Sequence, residues 1–228
     1  MKVSLSRRLF AEYLGSLVLV VAAISPIILG YHVLGGSVAL AVLMDAVAVG
    51  FVLFVLIEIL EPVSYCHINP AVTVSMMVSK NIDIKTGFQY LIVQFLGGLS
   101  GTIVSHLMFY HEKFFKLLTV SQVTRSHGAY FGEFVGTFLL VLTIYGCMYK
   151  KSVRPGLIIG FLVGGLLITT SSTMFANPQV TLARIFTFAI AGVRPIDGLV
   201  FMMVQVMGAL VATYTANFLF PATVSGQD

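Results

Sequence analysis

The chain has 228 residues, 58% of them hydrophobic and only 10% charged, with a mean hydropathy of +0.99. A soluble domain carries about 25% charged residues, so this chain cannot cover its own surface with polar groups, and lipid must be the solvent for much of it. The net charge of +4 does not point to nucleic acid, because the 13 basic residues fall in breaks between apolar runs.

Six apolar runs are long enough to cross a hydrocarbon core, which takes about 20 residues of helix. They fall near 9–29, 38–60, 86–109, 130–149, 155–173 and 197–220. None alternates as barrel strands would, so the fold class is all-α membrane protein. Lys2, Arg7 and Arg8 ahead of the first run imitate a signal peptide. However, the run carries Glu12, is about 20 residues long and lacks a small-x-small cleavage site, so it reads as the first span. Basic residues set the orientation. Lys2, Arg7, Arg8, Lys80, Lys85, Lys150, Lys151 and Arg154 fall on one side; Lys113, Lys116, Arg125, Arg184 and Arg194 fall on the other. The richer side is the inner one, which predicts a multi-pass cell-membrane protein with both termini cytoplasmic.

The chain repeats itself. Residues 11–20 read A-E-Y-L-G-S-L-V-L-V and residues 132–141 read G-E-F-V-G-T-F-L-L-V. Asn69-Pro70 recurs as Asn177-Pro178, each followed one residue on by Val-Thr, and Gln94 with Gly97 recurs as Gln205 with Gly208. The single domain, 1–228, therefore divides into repeat one at about 9–109 and repeat two at about 130–220. Three spans per repeat is an odd number, so the second repeat enters from the opposite side and the two form a 3+3 inverted repeat.

Both Asn-Pro pairs follow a full span and precede a stretch too short for another. Pro70 to Lys80 would make a helix of roughly 16 Å, half of a core of about 30 Å. Proline suits the first helical position and asparagine the cap before it. Two re-entrant half-helices would then meet near the midplane, each N-terminus carrying about half a positive charge. The Asn69 and Asn177 amides could donate to a passing oxygen, while the field repels cations and leaves neutral solutes alone. A capped helix in an ordinary loop is the bland alternative, weakened by the repetition in register.

His67-Ile68-Asn69-Pro70-Ala71-Val72-Thr73 resembles the first signature of the aquaporin and aquaglyceroporin (major intrinsic protein) family, and the likeness extends over nearly the whole chain. It implies an aquaporin-like fold of six transmembrane helices plus two half-helices, a homotetramer with one pore per subunit, and passive flux of small neutral solutes and water. By the same resemblance, Glu12 and Glu133 accept hydrogen bonds from the re-entrant loops, with a proton relay as the alternative, and His67 lines the inner pore, with a structural histidine as the alternative. The second motif departs from the family pattern: Asn177-Pro178-Gln179-Val180 stands where Asn-Pro-Ala-Arg is usual. Counting by similarity, the narrow outer filter falls on Val49, Gly165, Met174 and Val180, an apolar set without a fixed charge. That favours glycerol, urea or metalloid acids over strict water selectivity.

Arg184 lies one helical turn beyond Val180; it supplies positive charge at the outer mouth, or is a surface arginine or one paired with loop carbonyls. Gln179 either points its amide at the pore or packs between the half-helices. Tyr65 stands where the family commonly has glycine. Cys66 and Cys147 read as free thiols, Cys66 within reach of the pore. Gly97/Gly101 and Gly132/Gly136 permit close helix approach. Asp45 and Glu58 have no evident task. The histidines lack metal-ligand spacing, so no metal or other cofactor is expected, and no nucleophile-base pair suggests an enzyme. The remaining rivals are a secondary transporter with inverted repeats and a membrane protein with a degenerate pore.

Overall fold

The computed structural model describes residues 3–113 and 115–220; Lys2, counted above among the inner basic residues, lies outside them. Among the described residues, eight α-helices follow one another: α1 Leu5–Ile27, α2 Val38–Ser64, α3 Pro70–Val78, α4 Ile84–Leu107, α5 His127–Tyr149, α6 Pro155–Thr169, α7 Pro178–Ile185 and α8 Pro195–Leu219. Local chemistry sets most boundaries. Ser37, Asp83 and Ser126 cap α2, α4 and α5 by accepting backbone N–H bonds, and proline opens α3, α6, α7 and α8. Hydrogen bonds from the Thr86 hydroxyl and backbone N–H hold the Asp83 carboxyl below its ordinary pKa. Beyond Pro26, α1 continues as a π-helical stretch, Ile28–Val33.

Among the described residues, five helices have the length and apolarity of a membrane span. The expected span at 155–173 is shorter than the hydropathy suggests. α6 stops at Thr169, 15 residues long, not at 173. From Thr170 the chain turns extended, and the Thr170 and Ser172 hydroxyls accept from the backbone N–H of Met174. These are the side-chain bonds by which Ser and Thr compete with helix.

The packing is two-fold. α1 lies against α4 as α5 lies against α8; α3 packs on α8 as α7 packs on α4; and α2 meets α6 between the halves. Gly97 and Gly208, mates in the repeat, make the first pair of contacts possible. A Cβ at Gly97 would sit 2.4 Å from the Tyr13 carbonyl oxygen, and one at Gly208 2.5 Å from that of Phe134. Gly132 and Gly136 differ from the expectation of helix contact: they face Ser171 and Met174 of the loop before α7. The molecule is apolar outside and buries polar groups within its apolar core. Phe51, Phe88, Phe131, Phe161 and Phe218 are exposed, while Glu12, Thr73, Gln94, Glu133, Thr181 and Gln205 are fully buried. Such an exterior suits lipid and not water.

Candidate functional site

α3 and α7 meet at their N-termini. Asn69 Oδ1 accepts from the Ala71 N–H (2.9 Å), capping α3, and Asn177 Oδ1 accepts from the Gln179 N–H (3.1 Å), capping α7. With its oxygen so engaged, each amide turns its nitrogen outward. Asn69 Nδ2 donates to the Ala176 carbonyl (2.8 Å) and Asn177 Nδ2 to the Ile68 carbonyl (2.9 Å). Each half thus fastens the loop of the other. One N–H per amide is used in this way, and the second has no protein partner among the described residues.

The loops leading to both asparagines share a costly backbone. Tyr65, Cys66 and Ile68 have positive φ, as do Thr173, Met174 and Ala176 at the matching positions. Left-handed conformations of non-glycine residues cost on the order of 1–3 kcal/mol each and persist only where neighbours fix them. Buried carboxylates do the fixing. Glu12 accepts from the backbone N–H of His67 (2.9 Å) and Ile68 (2.7 Å), from Ser64 Oγ and from Gln94 Nε2. Glu133 accepts from the backbone N–H of Phe175 (2.8 Å) and Ala176 (2.7 Å) and from Gln205 Nε2. Gln94 and Gln205 also donate to Thr73 and Thr181, which in turn donate to the carbonyls of Asn69 and Asn177. Thr73 and Thr181 were not singled out beforehand, although the recurring Val-Thr was their signal.

A cavity of about 470 Å³ runs past both asparagines. One end is bounded by Glu61, Asn81, Lys151 and Ser152, the other by Met174, Phe175 and Arg184. His67 lines it, with Nδ1 3.2 Å from Thr73 Oγ1 and its ring edge-on to Tyr90. Cys66 and Cys147, both free and buried, line it as well.

Residues 1–176 match the family model described as Major intrinsic protein. The chain belongs to the major intrinsic protein family. It is 36% identical over 210 residues to the aquaglyceroporin AqpS of Rhizobium meliloti (strain 1021), covering 91% of this chain and 88% of that one. It is 32% identical over 194 residues to a probable TIP-type aquaporin, RB7-5A, of Nicotiana tabacum, covering 77% and 72% of the two chains. The X-ray structure of the aquaglyceroporin from Plasmodium falciparum shares the fold, with a TM-score of 0.70 over 96% of this chain and 97% of that one at 20% identity.

Among the four residues placed at the outer filter of this major intrinsic protein, Val49, Met174 and Val180 line the cavity and Gly165 does not. Gly165 faces outward, with open space where a Cβ would be. The lumen face of α6 carries Pro155, Ile159, Val163 and Leu167, a four-residue rhythm that leaves Gly165 about 200° round the helix from Leu167. Leu167, two residues later, lines the cavity instead.

Arg184 is neither a surface arginine nor an outer-loop charge. Buried on α7, it donates from Nη2 to Asp45 Oδ2 of α2 (2.9 Å) and to the Ala23 carbonyl of α1, and lies over the Phe175 ring at 4.3 Å. This gives Asp45 its partner. Glu58, likewise unassigned by sequence, accepts from the Gly156 N–H (3.1 Å) at the start of α6. Gln179 sends its amide to the Ile68 carbonyl (3.4 Å) and packs in the space left by Gly98, so it is a packing residue and not a cavity-lining one. Tyr65 takes the left-handed C-cap of α2 and is exposed at the cavity's inner side.

Proposed function

We propose that this chain is a passive channel for water and small uncharged solutes. The observation that carries the reading is the cavity passing between two opposed, asparagine-capped helix N-termini. Each tip presents about half a positive charge, and opposed positive helix ends exclude protons and cations from a pore. The free amide N–H groups of Asn69 and Asn177 replace part of a solute's hydration. The relative named an aquaglyceroporin, at 36% identity, supports water and glycerol as permeants.

The outer constriction formed by Val49, Leu167, Met174 and Val180 is apolar, with valine where the family pattern has arginine. It suits neutral molecules larger than water: glycerol, urea or undissociated metalloid acids. The whole chain, 1–228, acts as one channel domain. It sits in the cell membrane with both termini cytoplasmic, a reading strengthened now that buried Arg184 no longer counts among the outer basic residues. Four copies with one pore each are the assembly we propose.

Stopped-flow volume changes of proteoliposomes in gradients of water, glycerol, urea and arsenous acid test this. Fast, non-saturating fluxes without ion coupling are expected. Flux that saturates and follows a proton or sodium gradient would make the protein a transporter.

A further inference from the structure

Among the lumen-facing side chains of α3 and α7, the two-fold symmetry breaks at one position. By the spacing of the Asn-Pro pairs, Val180 matches Val72 and Arg184 matches Met76, and all four side chains line the cavity. Arg184 therefore occupies a pore register of α7 one turn beyond Val180, where the first repeat carries only a thioether. Outward of the two asparagines, the other lining side chains are apolar: Ala23, Val49, Leu167, Met174, Phe175 and Val180. A polar permeant crossing such a wall loses hydrogen-bond partners, and the guanidinium is the one side-chain donor there among the described residues.

That donor is restrained on several sides. Asp45 and the Ala23 carbonyl both hold Nη2, and the Phe175 ring covers the guanidinium face. Arg184 and Asp45 are each 2% exposed. Neither hydrogen bond uses Nη1, which has no protein partner among the described residues. A buried ion pair seldom adds stability over apolar residues of the same volume, and ionisable groups at this depth usually mark a solute path. Asp45 cancels the charge, so the wall offers a directional donor without a net field that would draw in anions.

We propose that Arg184, positioned by Asp45, sets the solute specificity of the channel. Its free guanidinium edge donates to an oxygen of a neutral, hydroxylated solute while the solute's apolar side slides along Val49, Leu167 and Val180. This rests on the conduction reading above. Water in file carries hydrogen-bond partners with it, whereas a polyol does not, so loss of the donor falls harder on the polyol.

The test measures water and glycerol permeability in proteoliposomes holding wild type, Arg184→Leu, Asp45→Asn, Asp45→Glu and the double variant Asp45→Leu/Arg184→Leu. The double variant removes the pair together and avoids stranding a buried carboxylate. The glycerol-to-water ratio is expected to fall about tenfold in Arg184→Leu and in the double variant, the scale of one hydrogen bond from a charged donor. Asp45→Asn should lower it and Asp45→Glu should restore it toward wild type, a change in ratio that a purely structural role would not produce. A double variant that conducts with the wild-type ratio overturns the proposal, and an unchanged ratio in Asp45→Asn overturns the part assigned to Asp45. Wild-type protein that passes neither water nor glycerol would instead overturn the conduction reading itself.

Discussion

Glu12 and Glu133 show how a buried carboxylate can serve shape and not chemistry. Each accepts two consecutive backbone N–H groups of a loop whose left-handed residues would not hold their conformation unaided. Replacing Glu12 with leucine strands both donors, at about 1–3 kcal/mol each. Glu12→Leu is therefore expected to lower the midpoint of thermal unfolding in detergent and the yield of folded protein. A well-folded but impermeable Glu12→Leu would point instead to a direct part in conduction. Cys66 permits a second measurement. Cys66 lines the cavity and its Sγ–H donates to the Leu56 carbonyl, so mercuric ion should block flux through the unsubstituted protein. Cys147 lines the same cavity, and the two thiols separate by substitution: Cys66→Ser should conduct in mercury while Cys147→Ser stays blocked. Block that survives Cys66→Ser would place the reactive thiol elsewhere.

The helices reveal what a sequence pattern carries and where it stops. The half-helices and the glutamates that hold their loops were legible, because Glu12, Asn69 and Gln94 return in order as Glu133, Asn177 and Gln205; the threonines that complete those supports were not singled out. The Arg184–Asp45 pair was not, since it joins elements 139 positions apart and has no counterpart in the other repeat. The rotation of α6 was lost for a different reason: a helix apolar all round gives no periodic signal to say which residues face inward. That correction can be measured. Gly165→Leu should leave glycerol and water flux at wild-type levels, since open space surrounds the position, whereas Leu167→Ala should raise glycerol flux by widening the lumen. Reduced flux in Gly165→Leu would return that residue to the pathway. Conversely, Gly97→Val and Gly208→Val each drive a methyl-bearing carbon into a backbone carbonyl, and both should lose about 1–3 kcal/mol or more of stability, as overpacked contacts do.

At the scale of the whole molecule, the proposed ion barrier rests on both inverted halves, each contributing one asparagine-capped helix N-terminus. Asn69→Asp and Asn177→Asp test it symmetrically. Aspartate still caps its helix, but it removes the N–H donated to the opposite loop and sets a negative charge where two positive helix ends converge. Both variants are expected to lower neutral-solute flux and to admit protons, read as dissipation of a pH gradient across proteoliposomes. Proton tightness equal to wild type in both would remove the opposed dipoles as the source of ion exclusion.

The exchange of amide bonds between the two tips also dictates when the protein can be finished. Ribosomes deliver Asn69 long before Ala176, its acceptor, and Ile68 waits as long for the donor on Asn177. The first short helix must therefore dwell in an unfinished setting until more than a hundred further residues have been synthesised, and neither half expressed by itself can close its own conduit.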